Sequence, residues 1–293
     1  MKFGLFDLYI VRECTFKLDG GAMFGVVPKP LWDKVSPADE LNRVQLSCNL
    51  LVIETPDGRV LVETGMGSRW SEKEKERYAL ISLVDPEQPL KSLGLKNDDI
   101  DFVIISHLHF DHSGGAVRLE EGKLVPTFPA AKYYVQEGEW NFAHKANARA
   151  RGSYRLDDFE PLAQSKCLKL VNGNHEVVPG VSLSVTGGHT GHHQVVTFAS
   201  EANRGIYFAD IVPTKSHLAP PWVMGYDHFP LESCDVKSTL LKQAASEGWL
   251  VVFDHETGVP WGRLNLVDGA KFEFAPLSDD TLLVPKATTA ITS

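Results

Sequence analysis

A layered α/β fold is the expectation for this chain, and three features of the sequence predict it. Short apolar runs alternate with turn signals along most of its length. Two of these runs, "FVII" (102–105) and "LVVF" (250–253), are apolar without a break, the pattern of strands covered on both faces. Helical patterns lie between the runs. Strands in the middle with helices outside follow from that alternation.

Taken in order, the N-terminal "MKFGLFDLYIVREC" carries a lysine and an apolar stretch. Asp7 interrupts it and no small-residue cleavage site follows, so it reads as a first strand rather than a signal peptide. "NLLVIET" (49–55) and "RVLVET" (59–64) flank "PDG", a hairpin signal because Asp-Gly tolerates the positive φ of a tight turn. Further strands are expected at 101–106, 132–136, 181–187, 194–199, 205–210 and 249–255. Helices are expected at about 86–94, 113–120, 137–150 and 232–247. "LNLVDGAKFEF" (264–274) repeats the Asp-Gly hairpin signal, and the last dozen residues, within "TLLVPKATTAITS", read as loosely held. With no internal repeat, low-complexity tract or linker, residues 1–293 read as one domain.

Composition excludes several classes of function. The 293 residues are 43% hydrophobic and 23% charged, an ordinary soluble globular balance. A net charge of −9 argues against nucleic acid or an anionic membrane as partner, and a small molecule is expected instead. No segment approaches the ~18 apolar residues of a membrane span, so a cytoplasmic location is the expectation. Cys14, Cys48, Cys167 and Cys234 are scattered without a CxxC and read as free thiols.

One stretch concentrates the chemistry. "SHLHFDHSGG" (106–115) puts three histidines and an aspartate into six residues, directly after an apolar strand and before a Gly-Gly pair. On an α/β scaffold, strand ends are where sites are built. His107 and His109, two apart, share one side of an extended segment. Asp111 and His112 follow at the bend and approach from another direction. Imidazole and carboxylate suit Zn, Mn, Fe or Co. Four such groups exceed what one tetrahedral ion uses, which suggests two. His189 in "GGHTGHH", Asp210 ending "IYFAD" and His255 ending "VVFDH" also sit at strand ends. His144, His175 and His228 read as solvated or capping residues.

The "HLHFDH" run (107–112) resembles the HxHxDH signature of the metallo-β-lactamase fold hydrolases. The resemblance extends from "CNLLVIETPDGRVLVETG" through "WLVVFDHE" and looks nearest to the lactonase-like branch, with its acyl-homoserine lactonases and methyl-parathion-type hydrolases. It implies a four-layer αβ/βα sandwich, two mixed sheets with helices outside, and a dinuclear site on one edge, most often zinc. By motif position His107, His109 and His189 would hold one metal. Asp111, His112 and His255 would hold the second, and Asp210 would bridge them. A homodimer is implied by the resemblance alone. The chain departs from the family pattern at Glu63, which stands where an aspartate is usual, and at Gly187, Gly191 and His192 in the histidine loop. The acyl-homoserine lactonases also carry a tyrosine three residues past the bridging aspartate, where this chain has Pro213.

Two divalent cations a few ångströms apart bring the pKa of a shared water from about 15.7 towards 7, which provides a hydroxide nucleophile at neutral pH. Asp111 is the candidate for carrying the proton to the leaving group. The segment "PTKSHLAPPWVMGYDHFP" (213–230) follows Asp210 at once and is expected to wall the pocket with His217, Trp222, Met224 and Tyr226. "GGAMFG" (20–25) supplies a second rim through Met23 and Phe24. Hydrolysis of small uncharged esters or lactones is the leading expectation. A phosphotriesterase or phosphodiesterase is the alternative, with thioester hydrolysis and iron-dependent redox chemistry behind it.

Overall fold

The computed structural model describes residues 1–269 and 271–277 together with the strand Leu282–Leu283. Lys2–Phe3 (β1) turns back onto Phe6–Asp19 (β2), which pairs antiparallel with Arg43–Thr55 (β3). β3 returns through the expected Asp-Gly turn into Gly58–Val62 (β4). Ile81–Ser82 (β5) adds to β2. Phe102–Ile104 (β6) joins β4 in parallel, and Val117–Glu120 (β7) and Lys123–Pro126 (β8) form a separate ribbon. Lys132–Gln136 (β9) and Leu168–Val171 (β10) complete the parallel half of this first sheet.

The second sheet runs in chain order: His175–Val178 (β11), Val181–Val185 (β12), Gln194–Ser200 (β13), Asn203–Tyr207 (β14), Leu250–Val252 (β15), Trp261–Val267 (β16) and Lys271–Pro276 (β17). Its pairs are antiparallel except β14–β15, which is parallel and connected over the helix Pro230–Ser246. Leu282–Leu283 (β18) pairs in parallel with β2, within the C-terminal stretch read as loosely held; the other residues of that stretch lie outside the described ones.

Side-chain alternation explains the unbroken apolar runs. Leu51, Ile53 and Ile104 face the second sheet, whereas Leu50, Val52, Val103 and Ile105 pack on the opposite side with Phe159 and Leu162. Leu250 and Val252 meet the first sheet, while Val251 and Phe253 pack under Leu241 and Ala244 of the helix Pro230–Ser246. Each such side chain contributes about 1.5–3 kcal/mol on burial. The result is the helix–sheet–sheet–helix order of the four-layer sandwich.

Three expected helices differ. Over 86–94 only the 3₁₀ turn Lys91–Leu93 forms. The helix expected at 113–120 is Phe110–Ser113 instead, followed by a 3₁₀ turn and then β7. Gly114 and Gly115 press so closely on the 64–66 backbone that a Cβ at Gly115 would lie 2.1 Å from the Thr64 carbonyl oxygen. That contact fixes the chain's path and ends the helix. The helix expected at 137–150 stops at Ala143, and the Asn147 side chain caps a turn by accepting from the Arg149 and Ala150 amides.

Candidate metal centre

The ends of β4, β6, β12, β14 and β15 converge on one edge of the sandwich. Beyond β6 the chain bends at Ser106–His107 and again at His109, which brings the His107 and His109 rings to a separation of 4.4 Å. Asp111 and His112 then sit in the short helix Phe110–Ser113, and His112 packs 4.0 Å from His107. His189 follows Gly187 and Gly188, both in the left-handed region at φ +64° and +77°. Asp210 follows Ala209, a non-glycine held at φ +45°, a conformation worth about 1–3 kcal/mol of strain that turns the carboxylate inward.

All seven expected ligands come together and all are buried. His107, His109, His189 and Asp210 form one group and Asp111, His112 and His255 a second, with the potential ligand atoms of each group within 4.8 Å of one another. Asp210 lies between them. Its Oδ2 is 3.0 Å from His189 Nε2 and 3.5 Å from His112 Nε2, and its Oδ1 is 3.1 Å from His255 Nε2. Asp111 spans His112 and His255 at 3.8 and 3.7 Å. A third group, Glu13, Cys14 and Cys48, lies in β2 and β3, but the Glu13 carboxylate already accepts from the Met66 and Gly67 amides.

The outer ring nitrogens are oriented by partners that the sequence reading left out. Asp227 holds His189 Nδ1 at 2.9 Å, and Asp254 approaches His112 Nδ1 to 3.0 Å. Ser106 Oγ meets His107 Nδ1 at 2.9 Å, and the Ser47 carbonyl meets His255 Nδ1 at 2.8 Å. Such second partners fix ring orientation and raise ligand basicity. Glu63 accepts from the Ser106 amide and lies 3.6 Å from His112 Nδ1. Glu139 accepts from the Leu108 amide, Tyr154 and Thr190, bracing the two histidine loops. His193 is also fully buried, its ring 5.3 Å from His107 and its Nδ1 on Thr186 Oγ1. A strand-end signal existed for Asp254 alone, beside His255. Ser106 adjoins His107 and His193 shares the loop of His189, whereas Asp227, Ser47 and Glu139 lie far away in sequence.

Charge explains why cations belong here. Burial pushes His107 and His109 well below the ordinary histidine range, with neighbouring imidazoles adding to the effect. Burial opposes the charge on Asp210, yet His189, His112 and His255 hold its carboxyl well below the usual range. His107 Nε2, His112 Nε2 and Asp210 Oδ1 are buried without a hydrogen-bond partner among the described residues. Buried polar atoms of this kind are normally satisfied. Nitrogen and carboxylate donors facing one point fit a borderline divalent cation.

Beside the cluster opens a cavity of about 220 Å³. Met23, Met224 and Tyr226 line it as expected, together with Leu18, Tyr78, Phe110, Gly152 and Ser153, which the sequence did not point to. Phe24, His217 and Trp222 do not. Met23 and Phe24 are neighbours in the helix Gly20–Phe24 and so point about 100° apart. Phe24 stacks between Trp32 and His217 at 5.2 and 4.5 Å, with Trp222 edge-on at 5.8 Å. His217 ties this layer to the rim through the Met23 carbonyl at 2.9 Å. His192 is exposed and packs over Gly138 rather than entering the cavity.

A two-sheet sandwich with a histidine–aspartate cluster on its edge defines a class, the metal-dependent hydrolases of this architecture. Residues 43–255 match the model of the metallo-β-lactamase superfamily, and the chain belongs to that family. It is 30% identical over 177 residues to an N-acyl homoserine lactonase of Bacillus cereus, covering 57% of this chain and 63% of that protein. The chain thus spans less than two thirds of that relative's length. A probable metal-dependent hydrolase from Staphylococcus aureus superposes with a TM-score of 0.87 at 29% identity, covering 95% of this chain and 99% of that one. AidC, a dizinc quorum-quenching lactonase, shares the fold at a TM-score of 0.75 and 22% identity, covering 95% and 96%.

Proposed function

We propose that this metal-dependent hydrolase is dinuclear and cleaves small uncharged lactones or esters. The observation that carries the reading is the cavity wall. Leu18, Met23, Phe110 and Met224 present carbon directly beside the seven-residue cluster, and among the described residues no lysine or arginine lines the cavity to hold a phosphate diester. His107, His109 and His189 would hold one ion, Asp111, His112 and His255 the other, and Asp210 both. Zinc suits these donors best. Divalent cations so held supply a Lewis acid and a water activated at neutral pH.

The chain's own groups do the rest. The apolar wall orients the substrate and excludes water from its far side. Asp111 reaches both the cavity and the second ligand group, which places it to receive a proton and deliver it to the departing alkoxide. The Bacillus lactonase supports a lactone as the substrate class.

The test is elemental analysis of purified protein combined with a panel of lactones, aryl esters, phosphotriesters and phosphodiesters. About two ions per chain and turnover of neutral carbonyl substrates are expected. A preference for phosphodiesters would move the protein to the phosphoesterase alternative, and one ion per chain after supplementation would end the dinuclear reading.

A further inference from the structure

Lys237 lies in the middle of the helix Pro230–Ser246 and is 1% exposed. A lysine buried this deeply is ordinarily paired with a carboxylate. Among the described residues no carboxylate comes within ion-pair distance of it. Its Nζ donates instead to two backbone carbonyls, His217 at 3.1 Å and Trp222 at 2.6 Å.

These carbonyls belong to the segment that carries the substrate wall. Downstream, that segment is tied to the metal centre and the rim. The Gly225 amide donates to Ala22 at 2.7 Å, Asp227 holds His189, and the His228 and Phe229 amides donate to the His189 and Gly188 carbonyls. Upstream, "APP" (219–221) brings two prolines without amide protons, so the chain there has few donors to anchor it. Besides the His217 ring on the Met23 carbonyl, the anchor comes from the other side, through carbonyls that meet a buried ammonium. Burial pushes Lys237 down to about 8, with Asp227 and Cys234 partly offsetting it. Burial and Lys237 together push the facing His217 down to about 3, so His217 is neutral and adds no second charge.

We propose that Lys237 is a positioning residue of the substrate wall: by drawing in the carbonyls of His217 and Trp222 it fixes Met224 and Tyr226 beside the metal ligands. The inference rests on the reading that this cavity takes an apolar substrate. It also gives a reason for a charge that burial disfavours. A neutral side chain of the same length would fill the space, but it would release both carbonyls.

The experiment compares wild type with Lys237→Met, both metal-loaded. Hydrogen–deuterium exchange at neutral pH should speed up about tenfold or more over 217–226 in the variant, with 132–136 unchanged. For octanoyl esters or lactones KM should rise about fivefold while kcat and metal content hold within about twofold. Unchanged exchange over 217–226 would overturn the role whatever the protein hydrolyses. Faster exchange with unchanged KM would show a pinned segment that does not position substrate, and would overturn it too. Should Lys237→Met fail to fold, the same exchange and KM measurements on Lys237→Gln, whose shorter amide cannot hold both carbonyls, decide: no change in either overturns the proposal. A wild type inert toward every ester and lactone strikes the functional reading, while the exchange result still decides Lys237.

Discussion

Asp210 faces imidazoles on two sides, with Oδ2 toward His189 and Oδ1 toward His255. Asparagine keeps its shape but places a neutral amide between the two groups of candidate ligands. Asp210→Asn is therefore expected to lower turnover by about 10²-fold or more while the midpoint of unfolding of the metal-free protein moves little. Paired turnover and thermal-melting measurements check this, and near-normal turnover at full metal loading would remove Asp210 from the bridging position. Tyr226 is a second residue to test. It lines the cavity, and its hydroxyl has no hydrogen-bond partner among the described residues, whereas Tyr133, Tyr154 and Tyr207 each have at least one. Burial and the facing carboxylates of Asp111, Asp19 and Asp210 keep the phenol protonated and able to donate. Tyr226→Phe should lower kcat/KM about 2–10-fold without changing metal content, as loss of one neutral hydrogen bond to substrate would. At this scale the seven candidate ligands were legible because each carries metal-binding chemistry at or just past a strand end. Asp227, Glu139 and His193 were not, since their roles depend on loops brought together from distant sequence.

Element by element, β2 shows how local irregularity serves the site. Its register shifts between Arg12 and Cys14, and Glu13 at that irregularity reaches beneath the 65–67 turn to accept from the Met66 and Gly67 amides. Burial pushes the Glu13 carboxyl up to about 7 from an ordinary 4.5. A folded-state pKa above the unfolded one means that the folded protein holds the proton more tightly. The resulting stability is fully present below about pH 4.5 and is lost as pH rises through about 7, on the order of 3 kcal/mol in all. Glu13→Gln should remove this part of the pH dependence. Denaturant titrations of both proteins at several pH values check it, and parallel stability curves would refute it. The Asp-Gly hairpin at 56–58 and the helix Pro230–Ser246 were readable because turn chemistry and helical periodicity are local signals. The turn after Ser113 was not, because contact between Gly115 and the Thr64 backbone sets it.

At the scale of the whole molecule, the site joins the two sheets. His107, His109 and His112 come from the first sheet's edge, and His189, Asp210 and His255 from the second's. Metal held there would link both halves and bind only the folded chain, and so would stabilise it by mass action. Removing metal with a chelator should lower the thermal midpoint by about 10 °C, and zinc should restore it. Calorimetry of both forms checks this; equal midpoints would mean that the sheets hold the site rigid without metal. The sequence by itself determined the strands that bear the site, the two-faced burial of "FVII" and "LVVF", and the chemical identity of the candidate ligands, because periodicity and donor type are written residue by residue. Only the tertiary structure decided which wall residues face the cavity, turning Met23 inward and stacking Phe24 away. It also decided which buried groups orient each ligand and that a lysine lies beneath the wall, since those contacts join residues up to about two hundred positions apart, as between Ser47 and His255.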